Sequence, residues 1–483
     1  MKAAKSIHFV SLGCPKNRVD SEVMVGVAQD RGFVPTDDAE AAEVIVINTC
    51  GFIEAAKRES IETILEMAQL KQSGACRKLV VTGCLSQRYS GDLATDLPEV
   101  DHFLGSSDML QLGAVLTRRD APRVLVGNPA DWVIRASDPR TLSTRGASAY
   151  LKIAEGCNRS CGFCVIPQIR GKQRSRSIDD VVAEAEQLAE HGVLELNLVS
   201  QDTIAYGRDV KGAAGLATLL ERLGEVRGIE WLRVHYLYPE KLDDRLLELL
   251  RDHPKVVPYV DMPLQHAAPT MLKRMLRGGS TNLRAVIDRL RQSVPDVVLR
   301  SAFIVGHPGE TQAEFAELAA FVKWAELDHV GVFQYSDEES CTSHALPDKI
   351  DDETTEERAS ALIDLQRGIS LKKNQARVGT TLRVLVEGAS EESELVMIGR
   401  HAGQAPEVDG LVYLSHGPVQ PGSFCTAHVA SATDYDLLAE AEPNEPGPIT
   451  ESDSAKVQRA KEPRGSSTAV RRRRGVVSLR TIS

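Results

Sequence analysis

The stretch Ala149-Tyr-Leu-Lys-Ile-Ala-Glu-Gly-Cys157-Asn-Arg-Ser-Cys161-Gly-Phe-Cys164 joins a strand-like segment, Ala149–Ile153, to three closely spaced cysteines. The gaps are three residues and then two. Thiolates hold soft metals and iron–sulfur clusters. Four would complete a cubane cluster, whereas three leave one iron without a protein ligand and open to a small molecule. Structural zinc usually takes four ligands and commonly begins with a Cys-x-x-Cys pair. The wide first gap and the lack of a nearby fourth ligand fit zinc less well, and a chance grouping is the remaining alternative.

Further strand candidates follow at Leu194–Ser200, Trp231–Tyr236, Val256–Asp261, Val297–Val305 and His329–Gln334. Amphipathic helices such as Asp179–His191 and Thr311–Trp324 separate them. Together these make roughly six βα units, enough for a partial (β/α)6 barrel. Ligands of such barrels gather at the C-terminal ends of the strands, so a triad directly after the first strand lies on the catalytic rim.

Upstream, Ile7–Ser11, Val44–Asn48 and Leu79–Thr82 read as short apolar strands with helical stretches between them, for example Ser60–Leu70. This βαβαβ order predicts an open parallel sheet. The strands end at Cys14, Cys50 and Cys84, which recur after 36 and then 34 residues. In such a sheet the residues beyond the C-terminal strand ends share one edge. Three cysteines distant in sequence are therefore expected to converge and hold a second cluster. The alternative is three unrelated buried thiols, since free cysteine is often buried.

Residues 105–148 form a looser connector. After the barrel comes a charged helix, Glu356–Lys373, and then short strands at Thr381–Glu387, Leu395–Gly399, Gly410–Leu414 and Phe424–Val429. These predict a small β-barrel. The expected α/β organisation is an N-terminal parallel-sheet domain over residues 5–120, a partial barrel over 143–374, a small barrel over 375–437 and a disordered tail over 440–483. The tail is rich in Pro, Ser, Glu and Arg, with the run Arg471–Arg474 near its end.

The 483 residues are 42% hydrophobic, carry a formal net charge of −11 and have a pI near 5.7. Such a chain is not built to coat nucleic acid non-specifically and suits a basic partner. No secretory pattern opens it and no apolar run reaches transmembrane length. A cytoplasmic location without membrane contact is expected, where clustered cysteines imply metal or redox chemistry rather than disulfides.

The Cys157-x3-Cys161-x2-Cys164 motif on a barrel rim resembles the radical S-adenosylmethionine (SAM) superfamily. The three spread cysteines and the terminal barrel, similar to a TRAM module, narrow the resemblance to the methylthiotransferases over roughly residues 5–437. Four stretches resemble the RimO-like class, which modifies an aspartate of the small-subunit ribosomal protein twelve. They are Ser11–Asn17 with Asp20-Ser-Glu22, Ser200–Thr203 with Tyr206-Gly207, Tyr236–Pro239 and Gln404–Gly410. The MiaB-like class, which modifies an adenosine in tRNA, typically has Gln-Met-Asn where this chain has Pro15-Lys16-Asn17. Across Gln375–Leu437 eight acidic residues face three arginines, a net of −5. RNA binding needs positive charge, so this acidity favours a basic protein substrate, though acidic surface also simply solubilises.

The resemblance implies two 4Fe-4S clusters and SAM. Cys157, Cys161 and Cys164 would bind the cluster that cleaves SAM to a 5′-deoxyadenosyl radical. Cys14, Cys50 and Cys84 would bind an auxiliary cluster that delivers sulfur. The reaction implied is methylthiolation of the aspartate β-carbon, with a second SAM as methyl donor and with an external electron donor and sulfur source. Phe163 would lie against adenine, Glu195 would hold the SAM ammonium, and Gln201 would reach ribose or substrate. Gly306 and Pro308, in a glycine–proline turn, would approach the cofactor. Lys16 and His266 are further candidates for substrate contact. Cys76, Cys341 and Cys425 match no ligand position. A tRNA methylthiotransferase, or a non-catalytic iron–sulfur RNA-binding or assembly factor, are the competing readings.

Overall fold

The computed structural model describes residues 5–144, 147–278, 281–391, 393, 396–415, 419–442 and 480–482. Its first sheet is built from β1 (Ser6–Leu12), β2 (Val34–Pro35), β3 (Val44–Thr49), β4 (Lys78–Gly83), β5 (His102–Leu104) and β6 (Val124–Leu125). The order is β2-β1-β3-β4-β5-β6, and every pairing is parallel. Helices α1 (Pro15–Asp30), α2 (Glu54–Ser73), α3 (Cys84–Asp96) and α4 (Leu112–Thr117) make the crossovers. β3 is buried at all six positions, which is why it reads as a continuous β-branched run rather than an alternating one.

The second sheet runs in sequence order through β7 (Ser148–Lys152), β10 (Glu195–Val199), β11 (Trp231–Val234), β12 (Val256–Asp261), β13 (Val298–Val305) and β14 (His329–Gln334), again all parallel. A short pair, β8 (Ala154–Glu155) and β9 (Arg174–Ser175), brackets the cysteine loop and helix α5 (Ile166–Arg170). Side chains alternate across this sheet. Leu196, Leu198, Leu232 and Val234 pack against the outer helices α6 (Ile178–Glu190), α7 (Leu216–Gly224), α8 (Asp244–Asp252), α9 (Pro269–Arg274), α10 (Leu283–Ser293), α11 (Gln312–Ala325) and α12 (Asp352–Gln375). Five of these helices start at a side-chain N-cap: Ser177, Asp243, Asn282, Thr311 and Asp351. Each such cap stabilises by about 1 kcal/mol. The intervening strand positions, including Tyr150, Lys152, Glu195, Arg233 and Tyr259, form an inner face that is buried yet polar.

The C-terminal module is a closed barrel of β15 (Thr381–Ala389), β16 (Met397–His401), β17 (Val412–Ser415), β18 (Phe424–Ala432) and β19 (Leu437–Ala441). The sequence suggested four strands. The fifth, Leu437-Leu-Ala-Glu-Ala441, closes the barrel and carries it past residue 437. The expected disordered tail starts inside this strand, and beyond Glu442 it lies outside the described residues except for β20 (Arg480–Ile482), whose backbone pairs with β1.

This module plugs one end of the partial barrel. Trp231, at the start of β11, meets Phe424 edge-on at 4.7 Å. The Gln404–Gly410 loop reaches the polar inner face, where Asp409 accepts from Tyr259 at 2.7 Å and pairs with Arg300. Arg400 enters beside it and binds Glu195 at 2.6 Å. Glu387 pairs with Arg400 and Glu407 with Arg18. Two of the acids counted toward an acidic outer surface, Glu387 and Asp409, are thus turned inward, while Glu407 stays exposed beside Arg18. The argument from surface charge for a basic partner is correspondingly weaker.

Glu195 requires a correction. It opens β10, at the end of the sheet away from the cysteines, and both Arg233 and Arg400 hold its carboxylate with no exposure on either side. It is not placed to receive a SAM ammonium. Burial works to raise its pKa, but Arg400 and Arg233 outweigh that and bring it down to about 2 from an ordinary value near 4.5. The pairing therefore contributes fully above pH 4.5 and is lost as pH falls toward 2. Glu195→Gln strands two buried guanidiniums and is expected to cost about 3–5 kcal/mol, read as a lower urea midpoint at pH 7. Between pH 4.5 and 2 the difference from the wild type should narrow.

Candidate metal and active site

The first set of cysteines lies on the C-terminal edge of the first sheet. Cys14 caps α1, Cys50 follows β3, and Cys84 opens α3. A side chain at Gly13 would meet Cys50 Cβ at 2.9 Å, which shows how closely the β1 and β3 ends approach. Asn17 clasps these ends: its amide donates to Leu12 O at 3.1 Å and to Thr49 O at 3.0 Å. Its carbonyl oxygen lies 3.6 Å from Cys84 Sγ. Burial first, then the neighbouring thiols Cys84 and Cys14, push Cys50 up to about 12. Gly13 and Asn17 thus draw the ends of β1 and β3 together, with Cys84 beside Asn17.

The second set sits in the loop after β8. Gly156, at φ +80°, has no room for a side chain, because a Cβ would stand 2.3 Å from Lys172 O. The loop turns sharply there and delivers Cys157. Gly162 donates to Met275 O and accepts from the Ser343 N–H, each at 2.8 Å. The loop is thereby held between the end of α9 and residues 341–343. Phe163 packs on Ala268, Met271 and Met275. Burial raises Cys164 to about 12, with Cys161 and Cys157 adding to it.

Each set has its own guanidinium. Arg170 Nη2 is 3.3 Å from Cys84 Sγ, and Arg277 Nη1 is 3.3 Å from Cys161 Sγ. Both arginines are buried, and Arg277 also lies 4.0 Å over the Tyr238 ring. Buried cationic donors aimed at sulfur offset the negative charge of a thiolate-ligated cluster, so the donor sets fit such groups. Among the described residues no three His, Cys, Asp or Glu side chains gather around a single point as one ion would require. Cubane ligands bind different irons, so the thiols need not meet at one point.

Arg170 also connects the two sets. It stands six residues after Cys164, contacts Cys84, and pairs with Asp20 of α1 at 2.7 Å and with Glu155 at 3.5 Å. Lys152 completes the network by holding Asp20 and, at 2.8 Å, Glu155. Glu155 Oε1 accepts from Gln201 at 2.7 Å. The carboxylate beside the triad is therefore Glu155, not Glu195. Its position immediately before Gly156-Cys157 was the available signal. Arg170, Arg277, Asp20 and Lys152 had no signal in the sequence beyond being charges near predicted strand ends.

The Gly306–Gly309 turn has a bracing role. Gly306 N–H donates to Glu310 at 2.7 Å, and its α-carbon faces Thr355 of α12. Pro308 is buried, and its carbonyl accepts from the neighbouring His307 ring at 3.1 Å. His307 reaches Ser343 at 2.8 Å, tying the turn to the cysteine loop. These bonds brace Gly306 and Pro308, the two residues expected to approach the cofactor, against the body of the protein. His266 pairs with Glu310 at 3.0 Å, fully buried.

The chain matches three family models: uncharacterized protein family UPF0004 over residues 6–105, the radical SAM superfamily over 151–322 and the TRAM domain over 378–441. It is 62% identical over 445 residues to the ribosomal protein uS12 methylthiotransferase RimO of Sorangium cellulosum, covering 91% of each chain. Identity to the RimO of Myxococcus xanthus is 49% over 436 residues, covering 90% of this chain and 91% of that one. For the RimO of Anaeromyxobacter sp. strain K it is 47% over 444 residues, at 92% and 94% coverage. Among the described residues no helix is long and apolar enough to cross a membrane.

Arg170→Met removes the guanidinium from Cys84. A cluster bound by Cys14, Cys50 and Cys84 should then shift to a more negative potential in a redox titration followed by EPR, while one bound by the 157–164 loop should not move.

Proposed function

Because the chain belongs to the ribosomal protein uS12 methylthiotransferase family, we propose that its two thiol sets work on one substrate aspartate of uS12, one set generating a radical and the other delivering sulfur. The protein is a radical SAM methylthiotransferase. The observation that supports a shared task is the docking of α1. Cys14 begins this helix, and two residues later Lys16 lies against Ser200 and Tyr236 at the rim of the second sheet.

When bound, the clusters supply reductive cleavage of SAM at Cys157, Cys161 and Cys164, and an iron-held sulfur at Cys14, Cys50 and Cys84. The chain supplies orientation, charge compensation and dryness. Arg277 and Arg170 stabilise the two thiolate sets. Lys152, fully buried, pairs with both Asp20 and Glu155; burial works to raise the Glu155 carboxyl, and Lys152 and Arg170 outweigh it and keep it ionised. Gln201 fixes one oxygen of Glu155, the carboxylate nearest the triad in sequence. Phe163 shapes the apolar wall where adenine would rest. The net change replaces one β-hydrogen of aspartate by a methylthio group. The hydrogen leaves as 5′-deoxyadenosine, the methyl group comes from a second SAM, and an external electron donor and sulfur source complete the balance. The cytoplasm, where uS12 is made and assembled, is the site of action.

Anaerobic reconstitution should load about eight irons per chain, and about four when Cys14, Cys50 and Cys84 are replaced together. Cys157→Ala should abolish 5′-deoxyadenosine formation, whereas Cys14→Ala should retain it while losing methylthiolation. In a deletion strain, mass spectrometry should find uS12 without its methylthio group. Loss of a methylthio group from tRNA instead would transfer the substrate assignment to RNA.

A further inference from the structure

The region between the two thiol sets is crowded with charge, and nearly all of it is paired. Asp20 is held by Lys152 and Arg170, Glu155 by the same two cations and Gln201, and Asp202 by Arg159 at 2.6 Å. Asp261 has His235 at 3.4 Å and Arg300 at 4.0 Å. Lys16 differs. Its Nζ lies 3.6 Å from the centre of the Tyr236 ring and 3.5 Å from Ser200 O, and among the described residues no carboxylate comes within ion-pair distance. The Ser200 carbonyl at 3.5 Å is a weak acceptor, and the ammonium's other supports are the Tyr236 side chain and the nearby Cys14 thiol, neither of them a carboxylate.

Two neighbours give this cation a direction. Tyr236 adopts φ 59°, a left-handed conformation that strains a bulky residue and persists only where surroundings enforce it. That conformation accompanies the placement of its ring against the ammonium. Gln201, directly after Ser200, gives its amide N–H to Glu155. This fixes the orientation of the amide and leaves its buried Oε1 without a donor among the described residues. The start of α1 and the end of β10 thus offer a cation and, one residue beyond its Ser200 contact, an unfilled acceptor. That pair matches an aspartyl residue, which brings a carboxylate and a backbone N–H.

We propose that Lys16 is the specificity residue for the substrate, binding the side-chain carboxylate of the target aspartate. The inference rests on the assignment of uS12 as substrate. Its physical logic is short. The reacting β-carbon is one bond from the carboxylate, so an anchor on that group fixes the carbon that must meet the radical and the sulfur, and small displacements there are costly. Lys16 is also only two residues from Cys14, which puts the anchor beside the sulfur-delivering set. A neutral asparagine at the target would leave the ammonium without its counter-charge.

The test compares reconstituted holoenzymes on two forms of uS12, one with the native target aspartate and one with asparagine there. The wild type should favour aspartate in kcat/KM by about 10- to 100-fold, the value of one charge-assisted hydrogen bond. Lys16→Met should lose this preference by falling on the aspartate form alone, with iron content at the wild-type level. Lys16→Arg should keep part of the preference. Retained discrimination in Lys16→Met, or an equal fall on both substrates, would overturn the proposal. A loss of iron in both variants would also overturn it, because it would make Lys16 a support of the cysteine set. A wild-type enzyme inactive on both forms would instead contradict the assignment of uS12.

Discussion

One carboxylate, Asp20, holds this molecule's two reactive ends together. It sits on α1, a helix buried from Asn17 to Ala28, and it is shared by Lys152 of β7 and Arg170 of α5. Burying three charges is favourable only when each is paired and hydrogen-bonded, so the network demands one docking geometry for the two sheets. That geometry fixes Cys14 at the start of α1 and Cys157–Cys164 after β8 on either side of this charge network. Glu22 extends the same seam, pairing with Arg140 at 2.6 Å. The helix therefore acts as a shared structural element between sheets that are separate in sequence.

The C-terminal barrel serves the same end from below. Arg400 and Asp409 enter the polar inner face and neutralise Glu195 and Arg300 there. An inner face lined by such groups would otherwise admit water. Closed by the small barrel at one end and capped by α1 at the other, the partial barrel can keep a radical away from solvent. The Gln404–Gly410 stretch, one of the four segments resembling RimO-like proteins, supplies part of this plug through Gln404, Pro406, Glu407 and Asp409.

Much of this was legible from local pattern. Val44-Ile-Val-Ile-Asn48 and its neighbours are β-branched runs that end in cysteine, and parallel topology converts that repetition into a shared edge. The triad needed only its spacing. The misreading of Glu195 has one cause, which is partners distant in the chain. Glu195 looked like a rim carboxylate because its strand could be recognised, while Arg400, 205 residues away, could not be seen to claim it. The inward turn of Glu387 and Asp409 in the small barrel went unseen for the same reason. The fifth strand, Leu437-Leu-Ala-Glu-Ala441, escaped notice because it has no β-branched residue and follows Asp434-Tyr-Asp436, a turn-like stretch. Glu155 and Arg170 flank the triad in sequence, yet only the docked α1 reveals what they join.

The central claim is that two clusters face one cleft. Pulsed EPR on the anaerobically reconstituted and fully reduced enzyme tests it most directly. The account predicts two reduced clusters whose signals are magnetically coupled, with the coupling lost when Cys14, Cys50 and Cys84 are replaced together. Two independent, uncoupled signals, or a single cluster in the intact protein, would contradict it.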